Sequence, residues 1–283
     1  MSMNILLPIA TYPDVTSKVG LGYALGLSAR LSASVTAIVQ EVDIAPINSA
    51  LGEALLGLSK MAADAEAHSR ENGASMGLWL RERAQNLGVD LDVRTVRCRP
   101  EAFADGLVPL SRHHDLAIAV LDGSDPQRRA DTEALIFDSG GPVLVVPLTA
   151  VVPVAEQRAA PFNVIVAWDG GRAASRALRD AMPLLVLADL VSILTVGDDK
   201  VVDPAGIAGV QALLDHHGVR NKHLHQERGT ASTGDTLQAV AVNHDANLLV
   251  MGAYGRNRLQ EFVLGGATRS VLHGPRLPIL LSH

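Results

Sequence analysis

The stretch that decides the fold runs from residue 250 to residue 271 and reads Val250-Met-Gly-Ala-Tyr-Gly-Arg-Asn-Arg-Leu-Gln-Glu-Phe-Val-Leu-Gly-Gly-Ala-Thr-Arg-Ser-Val271. It begins inside an apolar run, Leu248 to Met251, of the kind that a buried parallel strand needs. It then passes through glycines into residues 267–272, which are predicted to form a helix. Glycines let backbone N–H groups approach a ligand, and the first turn of a helix has free N–H donors at the positive end of its dipole. The stretch therefore predicts a cradle for an anion, and phosphate is the usual anion.

The spacing of three of these glycines, Gly252-x2-Gly255-x9-Gly265, resembles the nucleotide-binding signature of the universal stress protein family. The glycines stand between an apolar strand and a helix start, and a last predicted strand, Pro278 to Leu281, follows them. One position departs from the family pattern. The Ser or Thr that usually follows the third glycine is Gly266 here, so a hydroxyl contact to a phosphate is missing, although Thr268 lies close in sequence.

The resemblance implies that the carboxy-terminal half binds an adenine nucleotide, ATP or ADP, with or without Mg²⁺. Asp169, after the first strand of that half, is similar to the family's aspartate that meets the adenine or ribose; the competing interpretation is that it caps the next helix. Trp168 stands where the family usually has a small residue, and its ring either stacks on the adenine or fills space in the protein. Val196, at the end of the second strand of that half, matches by position alone the family residue whose backbone faces the adenine. The implied contact residues are Ala167, Trp168, Asp169, Val196, Met251, Gly252, Gly255, Arg256, Asn257, Gly265, Gly266, Ala267 and Thr268.

Composition excludes several classes of function. The chain has 283 residues, 48% of them hydrophobic and 19% charged, which predicts a soluble protein with room for two domains. A formal net charge of −6 and scattered Lys and Arg residues provide no basic field for nucleic acid. No apolar segment approaches the roughly 20 residues of a membrane span, and the amino terminus lacks the features of a signal peptide. We therefore expect a cytoplasmic protein that binds neither nucleic acid nor membrane.

Cysteine and histidine usage does not predict a metal site. The single cysteine, Cys98, excludes an internal disulfide and a cysteine-rich zinc site. His223 and His225 alternate along a predicted strand and could share one face as metal ligands. No carboxylate or cysteine stands at a useful spacing from them, so we predict no metal.

An internal repeat predicts a duplicated fold. Strands alternate with helices along the chain, which predicts a parallel sheet with helices on both faces, and the same order restarts at Asn163. Three pairs of equivalent residues have offsets of 159, 132 and 136: Asn4 with Asn163, Asp115 with Asn247, and Pro142 with Pro278. The drop of 27 falls where the first half has a long predicted helix, residues 50–87. We predict two tandem flavodoxin-like (HUP-type) α/β domains, each a five-stranded parallel sheet with helices on both faces.

The predicted domains are residues 1–149 and 163–283, joined by a proline-marked linker at 150–162. With the offsets above, Val120 corresponds to Gly252 and Glu133 to Gly265. A branched side chain and a negative charge would stand where the second half has glycine, so we expect the first half to be a degenerate copy that binds no nucleotide. The resemblance also implies that domains pair through their last strands, as a pseudo-dimer within the chain or as a homodimer.

The function that the resemblance implies is a nucleotide-dependent module of stress response or signalling. Adenylate-forming enzymes carry a His-x-Gly-His or Ser-Gly-Gly stretch after the first strand, and this chain has neither; a Walker loop is also absent. Metal ligands and a base for phosphoryl transfer are not evident near Gly252, so we expect at most weak ATP hydrolysis. Two alternatives stay open: a tandem scaffold that binds an unidentified protein partner without nucleotide, and a very slow ATPase.

Overall fold

The computed structural model describes residues 3–45, 57–148, 150, 161–197, 202–253 and 266–283. Strands and helices alternate through the first half, with a short 3-10 turn at Pro100–Ala102. The elements of this half are β1 (Asn4–Ile9), α1 (Lys18–Arg30), β2 (Ser34–Val42), α2 (Leu58–Leu87), β3 (Leu91–Cys98), α3 (Phe103–Ser111), β4 (Leu116–Leu121), α4 (Pro126–Asp138) and β5 (Val143–Pro147).

The second half repeats this order with shorter helices. Its elements are β6 (Asn163–Ala167), α5 (Arg172–Asp180), α6 (Met182–Leu185), β7 (Leu190–Val196), α7 (Pro204–His216), β8 (Asn221–Gln226), α8 (Thr233–Asn243), β9 (Leu248–Gly252), α9 (Gly266–His273) and β10 (Ile279–Ser282). None of the helices in the described ranges has both the length and the apolar character needed to cross a membrane.

The ten strands of the described residues form one sheet with the order β3-β2-β1-β4-β5-β10-β9-β6-β7-β8. Every neighbouring pair is parallel except β5 and β10, which are antiparallel. Each half is therefore a five-stranded parallel sheet, and two apolar clusters pack helices against its opposite faces. The predicted fold, two flavodoxin-like α/β units, is confirmed. Because the halves meet antiparallel, the carboxyl ends of their strands point to opposite edges of the sheet.

Strand composition matches strand position. Every residue of β4, β5 and β10 is buried, as expected for apolar strands at the centre of a sheet with both faces covered. The outermost strands, β3 and β8, consist only of half-buried and exposed residues. Residues 89–96 alternate apolar and polar residues, as an edge strand does, and β3 covers most of them.

The pairing of the two halves has the symmetry that the repeat predicts. Leu144 of β5 faces Leu280 of β10, and the residues on either side pair symmetrically about them. This relation has an offset of 136, the same as that between Pro142 and Pro278. The pseudo-dimer within the chain is thus formed through the last strands, as expected.

The other two offsets are supported by a hydrogen bond that occurs in both halves. The backbone N–H of Asn4 donates to Asp115 Oδ2 over 2.8 Å, and the backbone N–H of Asn163 donates to Asn247 Oδ1 over 2.8 Å. Each bond ties the start of a central strand to the start of its neighbour. Equivalent residues therefore make the same hydrogen bond in both halves.

The helices differ in part from the sequence predictions. Helix α2 begins at Leu58 and runs without a break through Gly73 and Gly77. The first residues of the predicted helix, 50–56, lie outside the described ranges. Helix α4 was not predicted, although Asp125 caps its N-terminus and a proline occupies its first turn. Glu133 lies in the middle of α4. Its predicted equivalence to Gly265, which used the offset of 132 that holds for β4 and β9, is therefore not supported.

Polar contacts and one close backbone approach add to the strand pairing between the halves. Arg30 Nη2 donates to the Leu187 carbonyl over 2.8 Å, and the guanidinium lies 4.7 Å from the centre of the Phe162 ring. Gly123 approaches the end of α9 so closely that an added Cβ would lie 2.0 Å from the carbonyl oxygen of His273. Glycine is therefore required where the loop after β4 meets the second half.

We expect Gly123→Ala to lower the free energy of unfolding by about 1–3 kcal/mol, because the methyl group would force two backbone segments apart. Urea unfolding of the full chain measures this. Gly106→Ala is a matched control, since an added Cβ at Gly106 in α3 meets nothing within 4 Å; it should stabilise by up to about 1 kcal/mol through helix propensity. An unchanged urea midpoint for Gly123→Ala would contradict the packing described.

Candidate functional site

The strand ends of the second half meet where the strand order reverses. The chain extends outward from β6 through β7 and β8, and then places β9 on the other side of β6. Ala167, Val196 and Gly252 end these neighbouring parallel strands at one edge of the sheet. Ligands of open parallel sheets bind at this kind of switch point. The structure thus brings these predicted contact residues to a common edge.

Four predicted contact residues, Gly255, Arg256, Asn257 and Gly265, lie outside the described residues. Their segment connects β9 to α9. Met251, directly before it, is buried at 3% exposure, so its side chain belongs to the core and only its backbone can face a ligand.

Gly252 is required by packing. A Cβ added to Gly252 would lie 2.6 Å from the carbonyl carbon of Ala173 and 2.7 Å from the backbone nitrogen of Ala174, in the first turn of α5. These are backbone atoms of another element, so a side chain could be fitted only by moving the helix. Gly252 therefore lets α5 begin directly against the end of β9.

The first half fills the same contact in the opposite way. Val120 in β4 is the residue equivalent to Gly252 in β9, and it contacts Gly20 of α1. Gly20 is the third residue of α1, just as Ala174, which Gly252 contacts, is the third residue of α5. A Cβ added to Gly20 would lie 2.4 Å from Val120 Cγ1. The valine side chain thus occupies space that a helix glycine leaves open. Its size is accommodated by the helix, which the sequence analysis did not foresee.

Asp169 orders the loop that leads into α5. Its Oδ1 accepts a hydrogen bond from the backbone N–H of Gly171 over 2.8 Å, and Gly170 between them has φ +71°. This is the local side-chain-to-backbone bond by which Asp forms turns. Gly171 itself occupies the N-cap position of α5. The competing interpretation from the sequence, a structural role at the helix start, is therefore at least part of what this carboxylate does.

Trp168 is half-buried and packs against the apolar cluster on the α5 and α7 side of the sheet. Its backbone N–H donates to the Leu194 carbonyl over 2.8 Å, and its Nε1 is buried without a hydrogen-bond partner among the described residues. A Cβ added to Gly206 in α7 would lie 4.0 Å from that nitrogen. The contacts favour the space-filling interpretation of this residue.

Helix α9 begins beside the same edge. Gly266, its first residue, is exposed, and a Cβ added there would meet nothing within 4 Å. Ala267 is half-buried, and Thr268 is only 2% exposed. The side chain of Thr268 therefore faces the protein interior, so it does not replace the hydroxyl that Gly266 lacks.

A network that the sequence analysis missed fixes α9 to α8. Ser270 Oγ donates to Asp235 Oδ1 over 2.8 Å, and Ser232 Oγ donates to Asp235 Oδ2 over 2.6 Å. The backbone N–H of Asp235 donates back to Ser232 Oγ over 3.1 Å. These donors hold the pKa of Asp235 below its usual range, with the Ser232 hydroxyl as the largest cause. The Ser-x-x-Asp spacing, a variant of the capping box, was the signal available in the sequence.

His223 and His225 do share one face, as predicted, and both contact the hydroxyl of Thr195. Thr195 Oγ1 lies 2.9 Å from His223 Nε2 and 3.1 Å from His225 Nδ1, and His225 Nε2 lies 3.0 Å from Glu227 Oε1. Within the described ranges, no group of three or more His, Cys, Asp or Glu side chains is placed to hold a metal ion. The two imidazoles are thus engaged in a hydrogen-bonded chain.

Residues 161–283, the half that contains this edge, match the model of the universal stress protein family. The carboxy-terminal half of the chain is therefore similar to this family. A curated universal stress protein from Synechocystis sp. is 28% identical over 155 residues, covering 53% of this chain and 50% of that protein. The matched region therefore spans about half the length of that relative.

Solved structures resemble both halves of the chain. A universal stress protein from Archaeoglobus fulgidus DSM 4304 is 16% identical, with a TM-score of 0.71 over 100% of this chain and 96% of that chain. A functionally unknown protein from Pseudomonas aeruginosa PAO1 is 15% identical, with a TM-score of 0.58 over 99% of this chain and 92% of that chain. At these identities the likeness shows the fold of the chain.

We expect Ser270→Ala to lower the free energy of unfolding at pH 7 by about 0.5–1.5 kcal/mol, since it removes a hydrogen bond to the Asp235 carboxylate. The folded-state pKa of Asp235 is depressed, so the stability it contributes is present above its unfolded pKa of about 3.9 and is lost as pH falls through the folded value. The difference between native and variant should therefore shrink below about pH 4.

Urea unfolding between pH 7 and pH 3 measures this difference. In an Asp235→Asn background, the same serine substitution should cost equal stability at every pH. If the cost in the native background were also independent of pH, the assigned cause of the Asp235 shift would be wrong.

Proposed function

We propose that this chain is a nucleotide-dependent module of stress response or signalling that binds ATP or ADP, with or without Mg²⁺, in its second half. One observation carries the proposal: β9 ends at Gly252 beside the switch point, and α9 begins at Gly266, one residue after the last glycine of the three-glycine spacing. Val196 ends β7, and Asp169 stands two residues after the end of β6, at the same edge of the sheet. A nucleotide laid across this edge would have its phosphates near α9.

The start of α9 suits a phosphate group. The first backbone N–H groups of a helix have no partner within the helix and lie at the positive end of its dipole. Gly266 is exposed, and the space that a Cβ would take is open. These features support binding through backbone donors, in which the missing hydroxyl at Gly266 weakens the site without closing it.

Gly266 also offers a sharper test than Gly252, because Gly252→Val would push against the backbone of α5 and disturb folding whether or not nucleotide binds. Gly266→Asp places a carboxylate at the helix start, where an acidic residue favours the helix and repels phosphate. Gly266→Ser restores the hydroxyl that the family usually has. Neither side chain meets a neighbour within 4 Å at its Cβ.

Thermal unfolding with and without Mg-ATP, on protein first freed of carried-over nucleotide, should show stabilisation of the native chain. At ~100 times the dissociation constant the gain is about 2.7 kcal/mol. We expect the affinity for ATP to fall at least about fivefold in Gly266→Asp, because two like charges within ~4 Å repel by about 1–4 kcal/mol, and to rise in Gly266→Ser. Equal shifts in all three proteins would contradict phosphate binding at α9.

A second candidate function is a tandem scaffold that binds a protein partner without nucleotide. Asp169, whose Oδ1 is bound to Gly171, and the space-filling packing of Trp168 favour it. Absence of any stabilisation by Mg-ATP or Mg-ADP in the native chain would make this the working function. Further association into a homodimer stays a prediction; the last strands already pair within the chain, which leaves β3 and β8 as the outer strands.

A further inference from the structure

The first half has a cavity at its own switch point. β1 and β4 are neighbours in the sheet, and the cavity lies at their carboxyl ends, between Ala10 and Val120. It has a volume of about 30 Å³ and opens to the surface. A water molecule needs about 10–15 Å³ by this measure, so the space suits two or three non-hydrogen atoms. It is too small for a nucleotide.

The walls of this cavity are mainly apolar, and its charged lining residues come from α4. Side chains of Phe103, Leu107 and Leu135 form the apolar part. Arg128 and Asp131 are the charged residues among those that line it. A ligand in this cavity would contact apolar side chains on most sides and the charged side chains of α4 on one side.

The guanidinium of Arg128 is already paired. Its Nε lies 3.1 Å from Asp125 Oδ2, and its Nη2 donates to the backbone carbonyl of Asp14. An anion would therefore have to compete with a carboxylate for this group. The charge that Arg128 offers to the cavity is largely cancelled.

The carboxylate of Asp131 is less well compensated. Its Oδ1 accepts a hydrogen bond from Gln127 Nε2 over 3.1 Å. Burial raises the pKa of Asp131 to about 6, with a smaller upward contribution from Asp125, and the Gln127 hydrogen bond and Arg128 only partly oppose this. The ionised group thus loses more interaction with water than its neighbours return, which is the condition under which a bound cation is stabilising.

We propose that this cavity binds a small primary ammonium ion, with the carboxylate of Asp131 as its counter-ion. The ammonium group would donate hydrogen bonds to the carboxylate, and its carbon would lie against the apolar wall. Metal cations such as Mg²⁺ or Ca²⁺ require six or more oxygen ligands, which a mainly apolar lining does not supply. Charge and size therefore select an ion such as methylammonium, which has two non-hydrogen atoms.

The place of Asp131 in the repeat agrees with this choice. With the offset of 136 that holds for the last strands, Asp131 corresponds to Ala267 in the first turn of α9. Helix α4 begins at Pro126, further ahead of its strand, so its N-terminal N–H groups lie away from this position. A negative side chain thus stands in the first half where the second half presents the start of a helix.

The test is a calorimetric titration of the full chain with methylammonium chloride at pH 7.5, against sodium chloride and tetramethylammonium chloride at equal ionic strength. We expect saturable binding of methylammonium only. Asp131→Asn should weaken it at least about fivefold, since the substitution removes the counter-ion of the ammonium group. Asp138→Asn, which changes an exposed carboxylate on the same helix, should leave it unchanged.

The affinity should also fall in acid, because a proton competes with the ammonium ion for Asp131. With a pKa of about 6, binding at pH 5 should be about tenfold weaker than at pH 7.5. The other titratable groups nearby are Asp125 and Cys98; burial, with Asp131 contributing, raises the pKa of the Cys98 thiol, so it stays neutral across this range.

The pH profile uses the native chain, so it remains a test even if Asp131→Asn folds poorly. The proposal is overturned if methylammonium shows no saturable binding, if sodium or tetramethylammonium binds equally well, or if binding is unchanged at pH 5 or in a folded Asp131→Asn protein. Nucleotide binding is not involved in any of these outcomes, because the two switch points lie at opposite edges of the sheet.

Discussion

The antiparallel pairing of β5 with β10 is the interaction on which the rest of the structure depends. Both strands are buried at every position, so each would expose an apolar sheet edge if the halves were apart. Pairing them satisfies the backbone groups of both edges at once and joins two five-stranded sheets into one. The duplication therefore does more than repeat a fold, because each copy supplies the missing neighbour of the other.

This pairing also separates the chemistry of the two halves. Since the strands of one half run opposite to those of the other, the two switch points face opposite edges of the sheet. Ligands at the two places would not touch each other. Any coupling between them would have to pass through the paired last strands or through contacts such as Arg30 with Leu187 and Gly123 with His273. The halves can thus differ in ligand without interfering sterically.

The sequence predicted the strands and their order well, because the three residue offsets depend on short apolar runs that recur in the same positions. It predicted less of the structure at positions where contacts between distant elements determine the role of a residue. Helix α4 was missed although Asp125 and Pro126 mark its start, because it buries only three side chains, those of Thr132, Leu135 and Ile136, and its apolar pattern is weak. The role of Gly252 in packing against α5 was also missed, because nothing in a single sequence shows which helix approaches a strand end.

The two halves differ in which element supplies the side chain at one equivalent strand–helix contact. In the second half a strand glycine, Gly252, meets helix alanines; in the first half a strand valine, Val120, meets a helix glycine, Gly20. Either combination fills the contact once, whereas two side chains would overfill it and two glycines would leave a void. A single substitution at Gly252 or Val120 is therefore unfavourable unless the helix changes too. This coupling explains how the first half could lose its glycine and keep its fold, with Asp131 beside the cavity that remains.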